Sequence, residues 1–354
     1  MRAVSVEDIK PGMILARSLV NDDMVVVLSE DTVLTKAHLT RLNMLKVQVV
    51  YIKDEFELSQ NYQTAAAVFH RSNAFTKEYK AVVKTVQSIF EEAADSDTIP
   101  LDKTESVVAE SLAPMAQNSG AVDYLYELNH HAEDVYNHSL RVSIMSGVIA
   151  KWMHFDPEQI SEIILAGFLH DIGKTKLPTR LVNKTVESLQ GEDFETYIKH
   201  TMDGHKILNT LKALPEGVKL TTMQHHERMN GTGFPFGCLG GEIHEYARIV
   251  AVADVYDNIT TERVGQVKKT PFDAITFLTE NLYTILDPTV CVPFLTHIKD
   301  AFLGSRVTLS TGESGIIASF PNDFAARPIV STPGDNLINL NERPDILIME
   351  YNPK

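Results

Sequence analysis

The chain has 354 residues, of which 44% are hydrophobic and 22% charged, with a formal net charge of −15. Such proportions belong to a globular protein and exclude a disordered or fibrous chain, while the acidic excess argues against a nucleic-acid polymer as partner. No apolar stretch approaches the roughly 20 residues of a spanning helix and the first residues lack a secretory core, so we expect no membrane insertion and a cytoplasmic protein.

Residues 1–60 read as a small α/β regulatory or interaction domain. Met13–Val20 and Met24–Leu28 are β-rich around an Asn21-Asp22-Asp23 turn. Thr35 is placed to cap a helix running to about Leu45, and a Val47–Ile52 strand follows. Residues 61–120 form a helical linker. Phe75, Tyr79, Val82, Val86, Ile89 and Phe90 recur at helical steps, Asp95–Pro100 breaks the pattern, and a second helix runs to about Gln117. That apolar stripe suits packing on the next domain or a homodimer through residues 64–117. Residues 121–304 are almost wholly helical by apolar spacing, through Leu140–Trp152, Ile160–Leu169 and Ile249–Val255. From Ser305 the pattern alternates, with a turn at Gly312 and strands at Val307–Leu309, Ile316–Ile317 and Ile346–Met349, so residues 305–354 read as a β-rich appendage. The expected class is mainly α: a helical domain flanked by a small α/β N-terminal domain and a short β-rich tail.

Only Cys238 and Cys291 are present, too few for a thiolate metal site, whereas ten of the thirteen histidines fall between His130 and His244. Within that third of the chain, Asp134 stands one helical turn before His138. His170-Asp171-Ile-Gly-Lys174, His200 with Gly204, His225-His226-Glu227 and an apolar run ending at Asp254 follow in order. Adjacent His and Asp on a helix point about 100° apart and can address two neighbouring ions, and a carboxylate buried at Asp254 calls for a partner. Five imidazoles and up to three carboxylates suit two or three divalent ions with nitrogen and oxygen ligands.

In these motifs, and in the continuation through His225-His226-Glu-Arg-Met-Asn-Gly-Thr-Gly-Phe-Pro235 and Arg248 to Asp257, the chain resembles the HD-GYP family over about residues 125–300. The resemblance implies a helical HD-type fold and hydrolysis of cyclic dinucleotides, chiefly cyclic di-GMP, by a di- or trinuclear iron or manganese centre. It implies His138, His170, Asp171, His200, His225, His226 and Asp254 as metal ligands, with Asp134 standing where a subset of the family carries a Glu for a third ion. Arg263 resembles the family's substrate-binding arginine. The chain departs from the pattern at Gln266, where a cation is usual, at Asn230, and at Phe234, which keeps the ring of the name-giving Tyr without its hydroxyl.

For such a centre we expect a metal-bridging hydroxide to attack the phosphodiester, Asp171 to bridge the ions, and Lys174 to neutralise the phosphate. The expected product is linear pGpG, GMP or both. The alternatives are hydrolysis of 3′,3′-cyclic GMP-AMP, or a metal-bound cyclic dinucleotide receptor that signals through its flanking segments.

Overall fold

A computed structural model describes residues 2–353 apart from 7–8, 17–18, 21–25, 29–31, 46, 48, 53–63, 129–133, 263–268, 323–324 and 335. The expected Asn21–Asp23 turn, Arg263 and Gln266 therefore lie outside the described residues. The chain divides into two compact units, one made of residues 1–74 with 296–354 and the other of residues 75–295.

The first unit joins both ends of the chain. Strands β1 (Arg2–Ser5), β2 (Leu19–Val20) and β3 (Val26–Leu28) precede helix α1 (Lys36–Met44) and strand β4 (Val49–Ile52). They pair antiparallel as β1 with β4 and β2 with β3. Thr35 caps α1 as expected, accepting the His38 amide while His38 Nδ1 takes the Thr35 amide. Leu15, Leu28, Leu34, Leu42 and Ile52 form the fully buried centre of its core. At the other end, β5 (Arg306–Leu309), β6 (Ser314–Ser319), β7 (Ile329–Thr332), β8 (Asn336–Asn339) and β9 (Ile348–Asn352) make an antiparallel sheet in the order β8-β7-β6-β5-β9. An Arg41–Asp300 ion pair of 2.7 Å ties α1 to the stretch leading into this sheet.

The second unit is helical. Helix α2 (Thr64–Ser96) enters it, and α3 (Leu101–Val107) continues through a π turn into α4 (Ala113–Gln117) and then α5 (Ala121–Leu128). The α2 stripe of Phe75, Tyr79, Val82, Val86, Ile89 and Phe90 is buried within the chain itself, with Phe75 5.1 Å from the Tyr124 ring and Phe90 6.1 Å from that of Phe168.

Two long helices form the centre, α6 (Val135–Trp152), capped by Asp134, and α7 (Pro157–Leu169), capped by Asp156. They approach closely because Gly167 has no Cβ; one built there would stand 2.9 Å from Ser143 Cα, and Ser143 Oγ instead donates to the Ile164 carbonyl at 2.9 Å. Around them lie α8 (Thr179–Val182), α9 (Gly191–Tyr197), α10 (Lys199–Asn209), α11 (Glu216–Gln224), α12 (Glu245–Thr260), α13 (Pro271–Asn281) and α14 (Pro288–Phe302). Helix α12 is covered on nearly every side, which fixes it as the core helix and carries Asp254 and Asp257 inside with it. Among the described residues no helix is long and apolar enough to cross a membrane.

Candidate metal centre

Five elements bring the sequence-predicted ligands together. His138 comes from the first turn of α6, His170 and Asp171 from the end of α7, His200 from the start of α10, His225 and His226 from the end of α11, and Asp254 from α12. All seven are buried, at 6% exposure or less.

Asp171 stands at the middle. Its Oδ2 faces His138 Nε2 at 3.5 Å and His170 Nε2 at 3.4 Å, while its Oδ1 faces His200 Nε2 at 3.4 Å and His225 Nε2 at 3.6 Å. The ligand atoms fall into two groups that share this carboxylate, one of His138, His170 and Asp171 and the other of Asp171, His200, His225 and His226. Asp254 Oδ1 lies 3.1 Å from His138 Nε2 and also accepts from Asn258 at 2.8 Å.

The tautomers follow from backbone geometry. Nδ1 of His170 donates to the Gly167 carbonyl at 2.7 Å, that of His200 to Tyr197 at 2.6 Å, and that of His225 to Thr221 and Thr222 at 3.2 and 3.1 Å. A carbonyl only accepts, so Nδ1 holds the proton and each Nε2 turns a lone pair inward. Nε2 of His170, His200, His225 and His226 are buried with no hydrogen-bond partner, turned towards the buried Asp171 carboxylate. Orphaned acceptors at this density are rare in a folded protein, and the set fits divalent cations.

Electrostatics agree. Burial pushes His200 down to about 3, and likewise lowers His225 and His226, so all three are neutral and ready as ligands. Burial alone raises Asp171, but the Lys174 ammonium 2.6 Å away overrides it and holds the carboxyl well below the usual range. Burial opposes a charge on His138, yet Asp254 and Asp257 raise it to about 9.

The metal-free chain should therefore be acid-labile. On unfolding His200 regains its ordinary 6.5 and takes up a proton that the fold refuses. Its stability contribution is present above that pH and is lost as pH falls towards about 3. His225 and His226 act with the same sign, against the single opposite contribution of His138, which is fully present below 6.5 and lost as pH rises through about 9. We expect chelator-stripped protein to melt lower at pH 5 than at pH 7; an equal or higher melting temperature at pH 5 would contradict this account.

Asp134 is placed differently from the other candidates. It caps α6, with Oδ1 accepting the Asn137 amide at 2.7 Å and Oδ2 the Asn137 side chain at 2.9 Å; like Asp254 it belongs to neither group of converging ligand atoms, but Asp254 lies 3.1 Å from His138 Nε2. Lys174 is buried in the short 3-10 turn after Asp171, with Nζ 5.3 Å from the centre of the Tyr197 ring.

Three residues without a role in the sequence reading complete the surroundings. Asp257 and Arg141 hold His138 from behind: Asp257 Oδ2 accepts from His138 Nδ1 at 2.8 Å, and Arg141 grips the same carboxylate through Nε and a terminal nitrogen at 2.6 and 2.9 Å. Glu227, 2% exposed, accepts the Phe236 and Cys238 amides at 2.8 and 2.9 Å and so folds the Gly-rich loop beside His226, whose ring lies 4.5 Å from that of Phe234. Opposite charges inside two apolar helices, and a Glu directly after two candidate ligands, were the available signals.

In Glu227→Gln one face of the side chain becomes an amide donor turned towards an N–H. We expect hydrogen exchange at one of the two amides, Phe236 or Cys238, to rise at least tenfold, the loss of about 1.5–3 kcal/mol for a hydrogen bond to a charged group. Unchanged protection would mean that the loop is held by something else.

Residues 125–290 match the HD domain family. The chain is 30% identical over 233 residues to a cyclic di-GMP phosphodiesterase of Pseudomonas aeruginosa, spanning 66% of this chain and 56% of that one. It is 36% identical over 151 residues to a cyclic di-GMP phosphodiesterase of Thermotoga maritima, with 40% of each covered. It is 29% identical to 3′3′-cGAMP-specific phosphodiesterase 3 of Vibrio cholerae, over 43% of this chain and 32% of that one. The chain thus spans about half the length, or less, of the curated relatives it matches. Among solved structures, an HDG"Y"P protein from Bdellovibrio bacteriovorus superposes with a TM-score of 0.52 at 18% identity, over 82% of this chain and 97% of that one, a likeness of fold.

Proposed function

We propose, from the match of residues 125–290 to the HD domain family, that the protein is a metal-dependent phosphodiesterase that hydrolyses cyclic dinucleotides, cyclic di-GMP foremost, to linear pGpG or GMP. The observation that carries this reading is the Asp171 carboxylate, buried between two sets of imidazoles, four of which, His170, His200, His225 and His226, have an Nε2 without a hydrogen-bond partner. The names borne by the relatives support the substrate class.

In this reading His138, His170, Asp171 and Asp254 hold one divalent ion, and Asp171, His200, His225 and His226 hold another. Iron or manganese suits this imidazole and carboxylate set. Asp134 already accepts from Asn137 on both carboxylate oxygens, so a third ion there would use their remaining lone pairs. Bound ions would supply Lewis acidity towards a phosphate oxygen and a lowered pKa for an attacking water. The chain's own residues do the remaining work. Asp171 fixes the two ligand sets relative to each other. Lys174, held beside Asp171 and kept protonated by it against the effect of burial, offers a cation to a non-bridging phosphate oxygen. Arg263 is assigned to substrate binding by sequence alone. A homodimer would use surfaces other than the α2 stripe, which this chain already covers.

The test is incubation of anaerobically purified, iron- or manganese-loaded protein with cyclic di-GMP and, separately, 3′,3′-cyclic GMP-AMP, with chromatographic product analysis and a His170→Ala, Asp171→Ala double variant as control. Linear dinucleotide or GMP from the wild type alone supports the reading, and the faster ring names the substrate. No product from either ring at full metal occupancy overturns it in favour of a nucleotide receptor. Lys174→Ala should keep its metal while kcat/KM falls by about 10–100-fold, the worth of one charge-assisted phosphate contact; an unchanged kcat/KM would remove Lys174 from substrate binding.

A further inference from the structure

Three of the metal-facing imidazoles are anchored by carbonyls from three or four residues earlier in the chain, but His138 is anchored by a carboxylate 119 residues away. Asp257 follows Asp254 by one turn of α12, so that a single helix presents one carboxylate to each nitrogen of the His138 ring, at 3.1 Å to Nε2 and 2.8 Å to Nδ1. Arg141, one turn beyond His138 on α6, closes on Asp257 with two hydrogen bonds and reaches Thr261 Oγ1 at 3.2 Å. Arg141 and Asp257 are only 2% and 4% exposed. The Tyr79 hydroxyl, from α2, donates to the Asn137 carbonyl at 3.2 Å immediately before His138.

A buried ion pair is weak evidence for stability, because desolvating both charges offsets most of their attraction. A carboxylate behind a metal-facing imidazole, in contrast, fixes the tautomer and ring orientation and raises the basicity of the ligand nitrogen. Asp257 performs that task only while its own orientation is fixed, and a two-point grip from a planar guanidinium fixes it. We propose that Asp257 and Arg141 are positioning residues for one half of the metal centre, the half made by His138, His170, Asp171 and Asp254. They hold the His138 Nε2 lone pair on the ion and leave the half made by His200, His225 and His226 independent of them. This rests on the metal-centre reading above.

The experiment is manganese titration of the chelator-stripped full chain by calorimetry, with metal content after dialysis measured by mass spectrometry. Melting curves and circular dichroism of the stripped forms report the fold. The wild type should bind two ions. Asp257→Asn should weaken one of them by about 10–100-fold and leave the other within about twofold. If the single variant fails to fold, Arg141→Met with Asp257→Val removes both charges together and leaves no unpaired charge inside, and it should show the same loss of one ion. A folded variant that binds both ions as the wild type does, even with a lower melting temperature, overturns the inference alone. A wild type that binds no manganese overturns the metal-centre reading and this inference with it.

Discussion

Asp171→Asn should lower turnover by at least about 10³-fold and reduce bound metal from two ions per chain to one or none. The expectation follows from the division of labour between its oxygens. Each faces a different pair of imidazoles, at 3.4 to 3.6 Å, so an asparagine presents an NH2 donor to one pair whichever way it turns. The side that receives the donor loses a ligand, and both sides lose the charge that balances two dications. A thousandfold corresponds to about 4 kcal/mol of barrier, within what metal-ion stabilisation of a phosphoryl transition state supplies. A second readout separates chemistry from folding. In the stripped protein Lys174 is 7% exposed and has its Nζ 2.6 Å from Asp171 Oδ2, so neutralising Asp171 leaves an uncompensated buried charge, a cost of about 3–5 kcal/mol. Adding Lys174→Met should restore most of the lost melting temperature without restoring the metal. Product chromatography, metal analysis and melting curves check the three statements. Full metal content in Asp171→Asn would end the bridging role.

The convergence of the candidate ligands was legible because their chemistry is local and rare. A His-Asp pair, a His-His pair and a carboxylate inside an apolar helix each announce themselves in a window of a few residues, and a clustering of histidines in one third of the chain gathers them. The cap at Thr35 was legible for the same reason, since an N-cap and its third residue are neighbours in sequence. The contribution of Asp257 was not. Spaced three residues after Asp254, it reads as an ordinary helix position until Arg141 and His138 are placed beside it from a helix more than a hundred residues earlier. The grouping of the tail with the N-terminal segment is of the same kind. A shift in composition at Ser305 marks where a new element begins but not what it packs against. Strands β7 and β8 were not read from the sequence. Asp134 shows how one spacing can serve two roles. Its spacing of four before His138 suits a ligand, and the same position suits a helix cap, which is where the structure puts it.

Gly173→Ala should cost about 2–4 kcal/mol, lower the melting temperature by roughly 5–10 °C and reduce metal occupancy, although the residue bears no ligand atom. Gly173 lies in the 3-10 turn two residues after Asp171, where a methyl group would fall on the His200 carbonyl oxygen and against the Gly204 amide. One turn further along α10, a methyl on Gly204 would meet the Thr222 side chain of α11. Helix α10 is thus pressed between the Asp171 turn and α11, with a glycine at each contact. That closeness brings His200 within reach of Asp171 on one side and of His225 on the other, with ring centres of the two histidines 5.5 Å apart. The obstacle at Gly173 is backbone, so no rotamer change relieves it and α10 has to move, taking His200 with it. Gly241→Ala is the matched control, since nothing lies within 4 Å of its added methyl, and it should shift the melting temperature by less than about 2 °C. Equal melting temperatures and equal manganese content for Gly173→Ala and Gly241→Ala would show that the spacing of α10 does not set the geometry of the centre.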